Sequence, residues 1–219
     1  MKPFAIQYND GNTSREVNAI IQYCIMEKHP YKFIKDINSI PEDHTPVGSV
    51  EYCLEAYGQH VIPDYYPEWA QSFIRRNVYK TDKWPDKKVF IKPADRYKRF
   101  NGIITTLVTE IPDPPYWCSD LVDFKDEWRY YISNGKIVAH GWYSGDEERM
   151  PDAPRPYVDV PEGFCGVMDC GWISGDKLEL VEVHHPFACG WYGESSDYRT
   201  FANWISDGWE YMLKQRSKK

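Results

Sequence analysis

At 219 residues, with 42% hydrophobic and 27% charged side chains, the chain can build one substantial core or two small lobes, and its composition is not that of a disordered tract. A formal net charge of -7 argues against general nucleic-acid binding, because counterion release needs a broad basic surface. No apolar run approaches the roughly 18 residues that span a bilayer, and "MKPFAIQYNDG" turns polar too soon for a secretory signal, so a soluble cytoplasmic protein without a membrane partner is expected.

In chain order, "NTSREVNAIIQYCIMEK" reads as an amphipathic helix that opens the chain, with Thr13 and Glu16 at capping-box spacing and Val17, Ile20, Ile21, Cys24 and Ile25 on one face. "YKFIKDI" is a strand, "GSVEYCLEAYG" a short helix ended by Gly58, and "IPDYYPEW" a connector into a helical "PEWAQSFIRR". Strands then dominate: "KVFIK", "GIITTLV", "EWRYYIS" and "KIVAHGWYS", the last two joined by Asn134-Gly135, a strong hairpin signal. "FCGVMDCGWI" and "KLELVEVHH" form a second pair across "SGD", and "DYRTFANWISDGWEYMLKQ" closes as a helix capped by Asp197. The change of pattern near residues 76–88 divides a mixed lobe, 1–80, from a sheet-based region, 81–219.

The stretch "VFIKPADRYKRFNG" concentrates Lys92, Arg96, Lys98 and Arg99 in an otherwise acidic chain. Such a cluster is commonly a solvated loop, but Pro93 biases Lys92 toward an extended conformation at a strand end, which suits a local anion site. Three strand-borne carboxylates stand out: Glu127, Asp169 and Glu182. Asp169 and Glu182 lie on neighbouring antiparallel strands and can face each other. Like charges so placed are costly unless a cation sits between them, and two carboxylates completed by phosphate oxygens suit Mg²⁺. Their alternative is to point to solvent. Period-two alternation puts His184 on the Glu182 face, with Val181 and Val183 opposite; a lone histidine is also a common structural residue.

Cys165, Cys170, Cys189 and His184 or His185 raise a competing zinc site, though C-x4-C is looser than the usual knuckle and "VMD" reads as strand. The six scattered cysteines, Cys24 and Cys53 and Cys118 included, fit free thiols in a reducing compartment better than a disulfide framework. Neither a Walker loop nor a G-x-G-x-x-G or G-x-S-x-G motif is present.

Arg76, Lys92, Lys98, Glu127, Arg129, Asp169 and Glu182, in this order, resemble the nucleotide site of the ATP-grasp superfamily. "PVGSVEY", "FIRRNV", "VFIKPADRYKRFNG", "DEWRYYISNGKIV" and "LVEVHHPFACGWYG" are similar to the R2K clade, small ATP-grasp proteins of which many are encoded by phages; the likeness runs from Pro46 to Trp209. It implies an α+β fold of two lobes with antiparallel sheets gripping ATP, residues 81–219 being the nucleotide-binding region in two subdomains, 81–119 and 120–219. It further implies an ATP-dependent ligase that joins a small-molecule or peptide carboxylate to an amine through an acylphosphate, in the host cytoplasm if phage-encoded. A kinase with the same grip, and a degenerate module that only binds, are the alternatives.

Carried over by position, the resemblance gives Lys92 the α- and β-phosphates and Lys98 the β- and γ-phosphates, and turns Arg76 toward phosphate or the acyl substrate. Asp120 and Val122 would flank adenine along "WCSDLVDF", Glu127 would accept from the ribose, and Arg129 would hold acylphosphate oxygens. Asp169, Glu182 and His184 would hold Mg²⁺, the two carboxylates thirteen positions apart as in the D-alanine ligase branch. Family members usually carry Asn where His184 stands; imidazole is a softer ligand that suits Mn²⁺ better. Arg149, Arg155, Tyr157 and the "HHPFACGWYGES" loop, flanking the metal strands, are the expected acceptor pocket.

Overall fold

The computed structural model describes residues 1–8, 14–148, 150–173, 178–194 and 196–217. Thr13, Arg149 and the "SGD" turn lie outside these residues. The helix expected first is preceded by a strand, β1 (Phe4–Gln7), whose Phe4, Ala5 and Ile6 are wholly buried. Such a run reads as generic apolar sequence because a strand covered on both faces loses its alternation. β1 pairs in parallel with β2 (Tyr31–Ile34) and β3 (Thr45–Val47), in the order β2-β1-β3. Helix α1 (Arg15–Glu27) begins at Ser14, and α2 (Val50–Tyr57) begins at Ser49, whose hydroxyl accepts from Tyr52 N at 3.2 Å. Gly58, at φ 73°, ends α2 with its N–H shared between Leu54 and Glu55 carbonyls, a conformation glycine adopts without penalty.

Residues Glu68–Phe73 form a 3-10 turn rather than the expected longer helix. The chain is drawn out of helical geometry beyond it, where Arg75 N donates to Glu179 Oε1 at 3.3 Å and Arg76 is captured by the same carboxylate. Two antiparallel sheets follow. The smaller, β4-β7-β5-β6, comprises β4 (Val78–Thr81), β5 (Phe90–Pro93), β6 (Ile103–Ile104) and β7 (Tyr116–Ser119). Only two residues of "GIITTLV" pair as strand, because Thr105 then turns inward to bond Lys87 O and Val89 N, and Leu107 is left exposed. Its compact core is Val89, Ile91, Tyr116 and Cys118.

The larger sheet, β11-β10-β8-β9, comprises β8 (Asp126–Ser133), β9 (Lys136–Ser144), β10 (Gly166–Trp172) and β11 (Leu178–His184). Asn134 at φ 49° and Gly135 at φ 76° give the β8-β9 turn the two positive φ angles that match strand twist. Along β8, Trp128, Tyr130 and Ile132 enter a core with Met168, Leu180, Trp209 and Met212, so alternation turns Glu127 and Arg129 to the other face. Helix α3 (Tyr198–Arg216), capped by Asp197 accepting from Thr200 N at 3.1 Å, joins both cores. Trp209 packs in the first and Trp204 in a second with Phe4, Ile6, Tyr131 and Val167, while Trp204 Nε1 donates to Ile132 O and Gly166 O. Among the described residues no helix is long and apolar enough to cross a membrane.

Candidate active site

The site lies where the two antiparallel sheets meet. On β5 and β7 alternation separates a buried face, Ile91 and Cys118, from a face carrying Phe90, Lys92 and Ser119. Opposite stands the larger sheet, where Asp169 and Glu182 are direct cross-strand partners and Asp169 is also paired with Arg129. Ligand atoms of Asp169, Glu182 and His184 all lie within 4.8 Å of one another. A bulge between Asp169 and Cys170 leaves two β11 residues where one would fit, and this resets the alternation. Val181, expected behind the sheet, therefore lines the cleft beside Arg76 and Lys92, while Leu180 and Val183 remain in the core.

Each carboxylate meets a cation. Lys92 Nζ donates to Glu182 across the gap between sheets, with the Tyr65 ring 4.8 Å from its ammonium. Arg129 grips Asp169 through two bonds, Nε to Oδ1 at 2.9 Å and Nη2 to Oδ2 at 2.8 Å, and lies over both the Tyr143 and the Tyr192 ring at 5.3 and 5.5 Å. His184 Nε2 is 3.6 Å from Asp169 Oδ2, and its Nδ1 is 3.4 Å from Cys189 Sγ. Burial presses both carboxyl pKa values upward but is outweighed, for Asp169 by Arg129 and His184 and for Glu182 by Lys92 and His184, so both sit below the ordinary carboxylate range. Burial pulls His184 down, yet Cys189 and Asp169 carry it up to about 10. Ligation uses the neutral imidazole, so a metal ion and this proton compete for Nε2.

Glu127, raised by burial against a 2.6 Å bond from the Tyr143 hydroxyl, lines a cleft of 260 Å³. Lys92, Arg76, Asp120 and Val122 share that lining, with an apolar slot made by Phe90, Ile104, Phe124 and Val181. Asp120 accepts from Lys87 Nζ at 3.0 Å and Asn77 N at 3.2 Å. Arg76 is a buried bracket: Nε donates to Ser119 Oγ at 2.6 Å, and Nη1 and Nη2 reach Glu179 Oε1, Leu180 O and Val181 O. It thereby ties the smaller sheet to β11.

Of the basic cluster only Lys92 reaches the cleft lining. Lys98, at φ 57°, is exposed with its ammonium 5.8 Å from the Tyr97 ring; Arg99 pairs with Asp95, and Arg96 is exposed. Of the expected acceptor residues, the "HHPFACGWYGES" loop brings His184, Cys189 and Tyr192 to this site, whereas Arg155 and Tyr157 lie elsewhere. Arg155 lines a cavity with Tyr130 and His140, on the β8 face opposite Arg129, and Tyr157 is 87% exposed. The zinc grouping is not assembled: Cys189 stays beside His184 and bonds His185 O and Phe187 O, but Cys170 enters the core, and the one metal-capable group among the described residues is Asp169, Glu182 and His184.

Glu179, Tyr65 and Tyr143 are site residues that the sequence patterns did not single out. Glu179 alone left a trace, as a second acidic position in "KLELVEVHH".

A family model described as the ATP-grasp domain, R2K clade family 2, matches residues 69–200. The chain belongs to that family. As an R2K ATP-grasp protein it has the α+β fold expected from its motifs, and the matched span holds Arg76, Lys92, Asp169, Glu182 and His184. No curated protein matches the chain. Solved structures that align with it include D-alanine–D-alanine ligase from Bacillus anthracis, at 12% identity and TM-score 0.45 over 100% of this chain and 99% of that one. The same ligase complexed with ATP aligns at 11% and 0.47, over 99% and 98%. The ATP-grasp ligase PsnB with its minimal precursor aligns at 9% and 0.45, over 94% and 99%. At these values they bear on neither the substrate nor the mechanism of this R2K protein.

Proposed function

We propose that the chain is an ATP-dependent ligase that joins a small-molecule or peptide carboxylate to an amine or related nucleophile through an acylphosphate. The observation that carries this reading is the meeting of Lys92, from one antiparallel sheet, with the Asp169, Glu182 and His184 cluster of the other, beside an apolar slot. The slot suits adenine, with Val122 and Asp120 at its edge, and Glu127, which lines the same cleft, would accept from ribose hydroxyls. Lys92 would exchange Glu182 for α- and β-phosphate oxygens, and Lys98 would cover the β- and γ-phosphates from its loop. Arg76, with its bonds already given to protein acceptors, frames the cleft and steadies the phosphate side.

Asp169, Glu182 and His184 would hold Mg²⁺, or Mn²⁺ given the imidazole; such an ion supplies positive charge against phosphate oxygens. A carboxylate oxygen of the substrate bonds to the γ-phosphorus as ADP leaves. The amine nitrogen then bonds to the acyl carbon, expelling phosphate and releasing a proton. Arg129, immobilised by two aromatic rings and Asp169, suits the equatorial oxygens, where fixed charge that needs no reorganisation is most effective.

Calorimetric titration with ATP and Mg²⁺ tests the reading. Binding is expected for the native chain and is lost in Lys92→Ala and Glu182→Ala variants whose circular dichroism is native; unchanged affinity in both ends the proposal. Formation of ADP and phosphate that depends on carboxylate and amine separates ligase from kinase, and from the binding-only module that His184 in the usual Asn position would favour.

A further inference from the structure

A second cavity, of 430 Å³, has His184, Tyr65 and Tyr97 in its wall, and so borders the same cluster that faces the nucleotide cleft. Its volume is in the range of small-ligand sites. Trp69, Phe164 and Tyr211 make an aromatic corner, with Trp69 and Phe164 centroids 5.2 Å apart at 60° and Phe164 and Tyr211 5.8 Å apart at 67°. All three rings are half-buried, so part of their surface remains open to the cavity. Asp64, Glu68 and Glu162 stand exposed at its border, and neither lysine nor arginine lines it. Its titratable bases are His185 and His184, and the charge of His184 is matched by Asp169, 3.6 Å from its Nε2, while its Nδ1 is taken up by Cys189.

π faces attract cations and carboxylates repel anions, so this wall selects charge as well as shape. We infer that the cavity binds an organic ammonium, an amine-bearing molecule with an apolar body. Aromatic rings receive the apolar part and the cationic face of the head group, and the three carboxylates supply the field that draws it in. The cavity excludes phosphate and carboxylate ligands, which go to the cleft that holds Lys92 and Arg76. Assigning this ammonium as the amine substrate rests on the ligase reading, and the border with His184 puts it next to the proposed acyl-transfer centre. Its binding does not depend on that reading.

The test uses the full chain without nucleotide and three probes of one shape: phenethylammonium, phenethyl alcohol and phenylacetate, followed by ligand-observed NMR. Saturable binding is expected for the ammonium alone. It weakens by about tenfold or more in Trp69→Ala and in the combined Asp64→Asn, Glu68→Gln, Glu162→Gln variant, the size set by removing a cation–π contact and its border charges. Thermal melts check that both variants fold, and the charge variant, altered only at exposed positions, tests the idea even if Trp69→Ala does not. Equal binding of the alcohol or the carboxylate, no saturable binding of the ammonium, or undiminished affinity in the charge variant overturns the inference. ATP titrated into the same samples keeps the two readings apart. ATP binding without ammonium binding removes this site alone, and ammonium binding without ATP binding removes the ligase reading and leaves an ammonium site.

Discussion

Replacing Glu179 by Ala would strand the deeply enclosed Arg76 guanidinium. Arg76 and Glu179 side chains are 7% and 1% exposed, with Nη1 and Oε1 at 2.7 Å. At that separation an effective permittivity near 20 gives an attraction of about 6 kcal/mol, most of it offset by the cost of taking both ions from water. Removing one partner keeps the desolvation cost of the other, so the expected loss is about 3–5 kcal/mol. For a chain of this size each kcal/mol moves the melting temperature by about 2–4 °C, which puts the Glu179→Ala variant about 6–20 °C below the native protein by calorimetry. Glu179→Gln keeps an acceptor for Nη1 and should fall less. An Arg76→Leu, Glu179→Leu double variant should regain part of the loss, giving a coupling energy of about 2 kcal/mol. A decrease of less than about 2 °C in Glu179→Ala, the size of an ordinary surface change, would refute the bracket.

Gly141→Ala would place a Cβ 1.6 Å from Tyr192 O, a backbone atom that cannot swing aside. The segment holding Trp191 and Tyr192 must lift, so a loss of about 1–3 kcal/mol and an altered tryptophan emission are expected, and a native melt with native emission would contradict the close approach. All six cysteines are buried and free, and burial carries the Cys24 thiol up to about 11. Between its ordinary value of 9.0 and about 11 the native state keeps a proton that the unfolded chain releases, so stability falls as pH rises through that window. The burial-raised tyrosines Tyr52 and Tyr130 act in the same direction at higher pH. Melting temperatures that hold constant from pH 8 to pH 11 would count against this, as would rapid reaction of native thiols with a disulfide reagent.

Local chemistry made much of the larger sheet legible. Asn134-Gly135 has backbone angles that few other pairs adopt, Gly58 and Asp197 mark helix ends with bonds made within four residues, and period-two alternation sets Glu127 and Arg129 apart from Trp128 and Tyr130. The opposition of Asp169 and Glu182 was readable for the same reason, since a short connection between two strands leaves few registers that bury the apolar side. The buried parallel strand β1 gave no such pattern, and the bulge that turns Val181 into the cleft depends on one unpaired residue that no local signal marks.

Charge pairing over long separations lay beyond that reach. Four cations in eight positions looked equivalent along the chain, yet Lys92 alone enters the cleft lining, because alternation aims it off a strand while the others occupy a loop. Arg76 reads as one more phosphate ligand until its partner 103 residues away comes beside it. The cationic strand end, the paired carboxylates and the family were written in residue order. Which cation meets which carboxylate, and that an aromatic, acid-rimmed cavity borders the same histidine, follow from packing two sheets and a terminal helix together. Burial fixes those partners: a desolvated charge must find its counter-charge wherever the fold brings one.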